Sequence, residues 1–236
     1  MESGTYRINM DGRWNLKDLY EFPHSYLQVY AFIYTFDTEL PTHDADRINY
    51  ALENYPRAGG YSIVNIYTVL QNQVSPQFRP VIKEIRYASP GWIDILLHLH
   101  PAVKAAAAVA GMAASCAGTI KSYASIQKTL YEIRARRQKA RIESIQLTRQ
   151  EAQELHGLNQ DLAQSIGFSS LDELEARTGS VEVAAKLLSA QYRRLKTLAK
   201  FVASGKAALP LTPLLSPPAP PSLPPLPPRQ EWSGEG

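Results

Sequence analysis

The chain has 236 residues, enough for one sizeable domain with appendages or for two small domains. A hydrophobic fraction of 44% is ordinary for a globular protein, and a net charge of +3 excludes a strongly basic or strongly acidic polypeptide. The single cysteine, Cys116, excludes an internal disulfide and fits a reducing compartment.

The first residues, MESGTYRINMDGRW, lack the charged-then-apolar order of a secretory signal. We therefore expect a cytoplasmic protein. Membrane association stays open because one apolar segment, residues 102–121, has the length of a short membrane span.

The opening part of the chain is mixed in pattern and rich in aromatic residues. Asn15 is a suitable N-cap with Asp18 three residues on, which predicts a short helix that Pro23 ends. Residues 26–36, YLQVYAFIYTF, are rich in side chains that favour strands. We expect a strand buried on both faces there, although periodicity alone leaves a helix open.

Two amphipathic helices are predicted next. The first is capped by Thr42 and ended by Pro56, and its apolar residues have helical spacing: Ile48, Ala51, Leu52 and Tyr55. A turn at residues 57–60 separates it from the second. The second helix keeps the same spacing from Ile63 to Val74.

The segment VIKEIRYASPGWIDILLHL, residues 81–99, predicts a β-hairpin because two alternating runs flank a turn sequence. In that turn Ser89 is followed by Pro90 and Gly91, the order typical of a type II turn. Residues 1–100 are therefore predicted to form a small α/β module with three or four strands and two main helices.

Residues 101–206 are predicted to be a helical region. We expect a long Ala-rich and then basic helix at 102–156, a short helix at 170–178 and an amphipathic helix at 181–204. Gly179 and Gly205 are suited to end the last two. The predicted class is thus α+β, a small α/β module followed by a mainly helical region and a tail.

Residues 207–236 are predicted to be a disordered tail, since ten prolines fall between Pro210 and Pro228. Within it, PPLPPR places Pro224, Pro227 and Arg229 in the spacing of a polyproline ligand for an aromatic groove. The alternative is a simple spacer, because such a pattern arises easily in a proline-rich segment.

The stretch between Lys104 and Lys121 contains sixteen residues without a charge. Few of its side chains are large and apolar, which disfavours insertion into a bilayer by residue type. Its small residues instead suit close packing of two helices, and Ala107, Gly111, Ser115 and Gly118 are the predicted seam. The alternatives are membrane insertion of residues 102–121 and a helix bound to the membrane surface.

A basic run follows at residues 128–141. Lys128, Arg134, Arg137 and Arg141 are the candidate anion-binding residues, for nucleic acid or an anionic membrane. On a helix, however, these cations spread around the axis, so a solvated face is the competing interpretation. The same helix has a broken heptad pattern, which predicts a coiled-coil or bundle contact but not a long autonomous coiled coil.

Signatures of catalysis are absent from the sequence. It has no phosphate-binding glycine loop, nucleophile elbow or zinc spacing. His98 and His100 would share one strand face, but no cysteine or carboxylate cluster completes a metal site. Cys116, without a basic neighbour, is expected to be an inert buried thiol. We therefore expect no enzyme activity, cofactor, metal or small-molecule substrate.

One stretch resembles a known family. IRYASPGWIDILL followed at once by an Ala-rich helix and then a charged helix is similar to bacterial TRADD-N-like domains, over roughly residues 20–150. The resemblance implies a small α/β interaction module in a bacterial immunity or cell-death system. It implies an adaptor or effector that binds a protein partner or itself, without catalysis.

Overall fold

The computed structural model describes residues 3–37, 40–54, 66–114, 117–140 and 147–212. Four strands and eight α-helices lie in this part of the chain: β1 (Ser3–Met10), α1 (Leu16–Thr35), α2 (Thr42–Asn54), α3 (Ile66–Gln73), β2 (Val81–Arg86), β3 (Gly91–His98), α4 (Leu99–Ala114), α5 (Ala117–Ala140), α6 (Arg149–Ser165), α7 (Leu171–Thr178), α8 (Val181–Ala203) and β4 (Ala207–Ala208). The predicted α+β class is confirmed.

Some predictions lie outside the described residues. They concern Tyr55 to Ile63, Ser115, Cys116, Arg141 and residues 213–236, including the polyproline pattern. The division into a module at 1–100 and a helical region at 101–206 stays a prediction.

The strands form one antiparallel sheet in the order β2-β3-β1-β4. The predicted hairpin is confirmed as β2 and β3. Side chains alternate across the sheet, so Tyr6 and Ile8 of β1 lie opposite Ile95 and Ile93 of β3 on the face that the helices cover. This face supplies one side of the hydrophobic core.

The turn of the hairpin differs from the prediction. Among the described glycines, positive φ occurs at Gly12, Gly167, Gly179 and Gly205 but not at Gly91, so the type II turn is wrong. Gly91 instead begins β3, after a cis Ser89–Pro90 peptide bond. Glycine is needed there for space, because a Cβ atom would lie 2.5 Å from the carbonyl oxygen of Arg86.

We expect Gly91→Ala to lower the free energy of unfolding by about 1–3 kcal/mol, since backbone atoms must shift to admit the methyl group. Gly157→Ala is the matched control. A Cβ at Gly157, in the middle of α6, meets nothing within 4 Å, so alanine there should stabilise the protein by up to about 1 kcal/mol. Urea denaturation measures both, and a neutral Gly91→Ala would contradict the close approach.

Helix α1 overturns two predictions. Its start is as expected, with Asn15 and Asp18 forming a capping box, but it continues through Pro23 to Thr35 and so includes the segment predicted as a strand. Proline removes one hydrogen bond within the helix. Burial of Phe22 and Tyr26 on either side of Pro23 offsets that loss, because both side chains are fully enclosed.

Helix α8 is the centre of the helical layer. It packs against α1, α4, α6 and α7, and thirteen of its residues are buried. Trp14 and Phe22 near the start of the chain contact Phe201 of α8, with ring centroids 5.4 and 5.3 Å away. One hydrophobic core therefore extends from β1 to the end of α8.

The long helix predicted at 102–156 is wrong, since α4, α5 and α6 occupy this region as separate helices. The axes of α4 and α5 differ by 97°. Gly157, the residue after the predicted end of that helix, lies inside α6. The short helix α7, ended by Gly179 in a left-handed conformation, and α8 match their predictions closely.

Candidate interaction surface on helix α4

Helix α4 follows β3 without a loop and presents two different faces. Alanine favours the helix, and residues at helical spacing are buried toward α8, α1 and the sheet: Ala102, Ala105, Ala106, Val109 and Met112. Because most of these side chains are methyl groups, α4 lies close to its neighbours. The core thus fixes the helix from one side only.

The other face of α4 is exposed and consists of small residues. Ala107, Ala110 and Gly111 are exposed, and we call these three the α4 stripe. Two of the four predicted seam residues, Ala107 and Gly111, are in it. Gly118 belongs to α5, beyond the 97° change of direction, so it does not extend the stripe along one straight helix.

A pocket of about 300 Å³ opens beside the stripe. Ala107, Ala108 and Gly111 form one wall, and Phe32, Phe36 and Phe168 contribute an aromatic wall. The ring centroid of Phe168 lies 5.3 Å from that of Phe32 and 5.2 Å from that of Phe36, so the three rings pack against one another. The pocket is large enough for an apolar side chain.

The rim of the pocket is polar at one end. Lys104 lies on the rim, and its Nζ atom is 3.5 Å from Oδ1 of Asp37. Nδ1 of His100 lies 3.0 Å from Oδ2 of the same carboxylate. These contacts place charge next to an apolar wall, the arrangement of an interface centre with a polar rim.

The two histidines of the sequence HLH do not share a strand face as predicted. His98 ends β3 and is buried, whereas His100 lies in the first turn of α4. Their rings are 6.4 Å apart. Within the described residues, no group of three or more His, Cys, Asp or Glu side chains could hold a metal ion.

The basic candidates do not form one surface. Lys128 and Arg134 are exposed on α5. Arg137 instead donates two hydrogen bonds to Glu182 of α8, at 2.9 and 2.5 Å. Burial alone would raise the pKa of Glu182, but the hydrogen bonds from Arg137 and Lys186 outweigh it and hold the pKa below its usual value.

The broken heptad of α5 therefore has a structural explanation. Ile126 and Ile133 are buried, and Leu130 packs at the edge of the core, where α5 contacts α6 and α8. Arg137 continues this face and interrupts its apolar pattern because it pairs with Glu182. The predicted bundle contact is thus confirmed as a contact within the chain.

Comparison with protein-family models, with curated proteins and with solved structures finds no match.

As for the membrane alternative, no single helix in the described ranges is both long and apolar enough to cross a bilayer. In the described part of the chain, α4 and the segment of α5 from Thr119 are together long and apolar enough for a span. These two helices, however, are sharply bent relative to each other.

The spacing of small residues in the sequence indicated Ala107 and Gly111 of the stripe, but neither Ala110 nor the pocket. The signal was present in Phe32 and Phe36, which are four residues apart and lie on one face if the segment is helical. Residues four apart also share a face in the predicted strand, but that face would belong to a sheet and not to a helix beside α4. Phe168 comes from a distant loop, and no local pattern links it to α1.

Proposed function

We propose that the protein is a non-catalytic interaction protein that self-associates through the α4 stripe. A helix of a second copy, its own α4 by symmetry, packs on Ala107, Ala110 and Gly111. The observation that carries this is the position of the stripe: a small-residue face on a helix fixed by the core, directly beside an aromatic-walled pocket.

Small residues support such a contact because they let two helix backbones approach closely. Gly111 lies within α4 although glycine weakens a helix by about 1 kcal/mol relative to alanine. A Cβ atom at Gly111 would meet nothing within 4 Å, so the fold of one chain does not require glycine there.

A glycine within a helix and with free space around its Cα is not by itself evidence of an interaction surface, as Gly157 shows. A Cβ atom there also meets nothing within 4 Å, but the residues three and four positions away on α6 are polar: Gln153, Glu154, Gln160 and Asp161. The surroundings of Gly111 differ, since alanines and the pocket adjoin it. This contrast provides a matched pair of positions for the experiment.

Gly111→Leu should weaken self-association at least about tenfold, because the longer side chain holds the two backbones apart. Gly157→Leu should associate like the wild type. Leucine is the better helix former, so both variants should melt at or above the wild-type temperature. Size-exclusion chromatography with light scattering over a concentration series measures association. A wild type that is monomeric throughout, or a Gly111→Leu variant that associates normally, would contradict the proposal.

The biological role we propose is that of an adaptor or effector in a bacterial immunity or cell-death system, acting in the cytoplasm. Its support is the order of elements in the TRADD-N-like resemblance, a hairpin that continues directly into an Ala-rich helix. In this chain β3 ends at His98 and α4 begins at Leu99.

Membrane insertion of residues 102–121 is the second candidate, favoured by the combined length and composition of α4 and α5. It predicts that the protein floats with anionic liposomes. Nucleic-acid binding is less well supported, because Arg137 is engaged by Glu182.

A further inference from the structure

The free edge of the sheet has an unusual surface. Strand β2 is the last strand on its side, and within the described ranges no strand pairs with its outer edge. All six of its residues are exposed, including three large apolar ones: Val81, Ile82 and Ile85. Ile82 and Ile85 are 47% and 48% exposed, whereas their partners in β3 are buried.

A bulge places these two isoleucines on the same face. Ile82 lies opposite Ile95 and Ile85 opposite Ile93, with an irregularity between Ile82 and Glu84. In a regular strand, residues three apart point to opposite faces. The extra residue, Lys83, changes the alternation, so both isoleucines extend the core face of the sheet beyond the helical layer.

The sequence of β2, VIKEIR, is complementary to itself in the antiparallel direction. With a twofold axis between Lys83 and Glu84, each Lys83 lies opposite Glu84 of the second copy. Ile82 then lies opposite Ile85, and Val81 opposite Arg86. Opposite charges and apolar pairs at facing positions are the contacts that stabilise antiparallel strands.

We infer that β2 pairs with β2 of a second copy, joining two four-stranded sheets into one of eight strands. The contact is isologous, so the outer edge of β2 is paired in both copies. No unpaired β2 edge is left at which further copies could add. It is separate from the α4 stripe and does not depend on it. Together the two surfaces give assemblies larger than a dimer.

A pair of six-residue strands buries much less than the roughly 1,600 Å² of a standard stable interface. The association is therefore weak and needs concentrated protein. The opposing interpretation is that the bulge and Lys83 protect the edge, since natural sheets use bulges and lysines to prevent pairing. The two interpretations make opposite predictions about charge reversal.

The experiment uses the full chain carrying Gly111→Leu, so that the α4 stripe does not contribute. With Glu84→Lys, Lys83 of each copy lies opposite a lysine at position 84 of the other copy. With Lys83→Glu, Glu84 of each copy lies opposite a glutamate at position 83 of the other copy. Each variant alone should associate at least about tenfold more weakly than its parent. An equimolar mixture should associate again, because each lysine then lies opposite a glutamate.

Sedimentation equilibrium over a concentration series gives the association constants, and circular dichroism checks that these exposed substitutions leave the fold intact. Recovery in the mixture supports the pairing. A mixture that associates no better than either variant alone, or single variants that associate like their parent, would overturn it. This outcome can be told apart from the test of the proposed function, because the α4 contact is tested by comparing the wild type with Gly111→Leu alone.

Discussion

Replacing Phe22 with alanine is expected to lower the free energy of unfolding by about 3–5 kcal/mol. The side chain of Phe22 is fully buried, and its ring meets those of Trp14 and Phe201 edge to face, at 5.4 and 5.3 Å. Removing the ring leaves a cavity between α1 and α8. The loss is large because α1 and α8 pack against each other and both contribute rings to this cluster.

The matched control is Tyr20→Ala, two residues earlier in α1, where the side chain is 68% exposed. This change should cost less than about 1 kcal/mol. A double-mutant cycle with Phe201→Ala should show a coupling of about 0.5–1.5 kcal/mol between the two rings. A loss below 1 kcal/mol for Phe22→Ala would show that α1 and α8 do not share a core.

Replacing Asp44 with alanine is expected to have a similar effect, about 3–5 kcal/mol. The carboxylate of Asp44 is buried and accepts hydrogen bonds from the hydroxyls of Tyr34, at 2.5 Å, and Ser75, at 2.6 Å. A nitrogen of Arg47 lies 3.3 Å away. Without the carboxylate, the buried hydroxyl of Tyr34 and the half-buried hydroxyl of Ser75 lose their acceptor. Arg47 loses the nearby opposite charge but keeps its hydrogen bond to the carbonyl oxygen of Gln73.

Asp46→Ala is the control, because Asp46 carries the same charge in the same helix but is exposed. It should change stability by less than about 1 kcal/mol. Urea denaturation at neutral pH compares the two. An Asp44→Ala variant as stable as Asp46→Ala would contradict the role assigned to Asp44.

The effect of Asp44 should also depend on pH. Burial by itself would raise the pKa of Asp44, but the hydrogen bonds from Ser75 and Tyr34 and the charge of Arg47 outweigh it and lower the pKa. A carboxylate with a lowered pKa stabilises the fold above its unfolded value, near 4, and loses this contribution as the pH falls through the folded value. The difference between wild type and Asp44→Ala should therefore shrink in acid.

Local signals predicted much of the fold. The hairpin, the capping box at Asn15, and the helices ended by Gly179 and Gly205 depend on neighbouring residues, and all of them are confirmed. Helix α1 was missed because its residues from Tyr26 onward are apolar on most sides. Since the core surrounds this helix, it lacks the periodicity that distinguishes a helix from a buried strand.

The candidate surfaces show the same limit. Two residues of the α4 stripe, Ala107 and Gly111, could be predicted because small residues at helical spacing are visible in the sequence. The pocket could not, since Phe168 reaches α1 only through the tertiary fold. The self-complementary edge was missed as well, because a regular strand would place Ile82 and Ile85 on opposite faces and only the bulge brings them together.

The central claim, that α4 packs against α4 of a second copy, is tested most directly by disulfide cross-linking. In the proposed contact the stripe faces its symmetry copy, so a cysteine at Ala110, in a chain with Cys116→Ala, is expected to come within disulfide range of its counterpart. Gly157→Cys in the same background is the exposed control. The account predicts that Ala110→Cys forms a covalent dimer under mild oxidation at concentrations where Gly157→Cys stays monomeric. Equal rates of cross-linking for the two variants would contradict it.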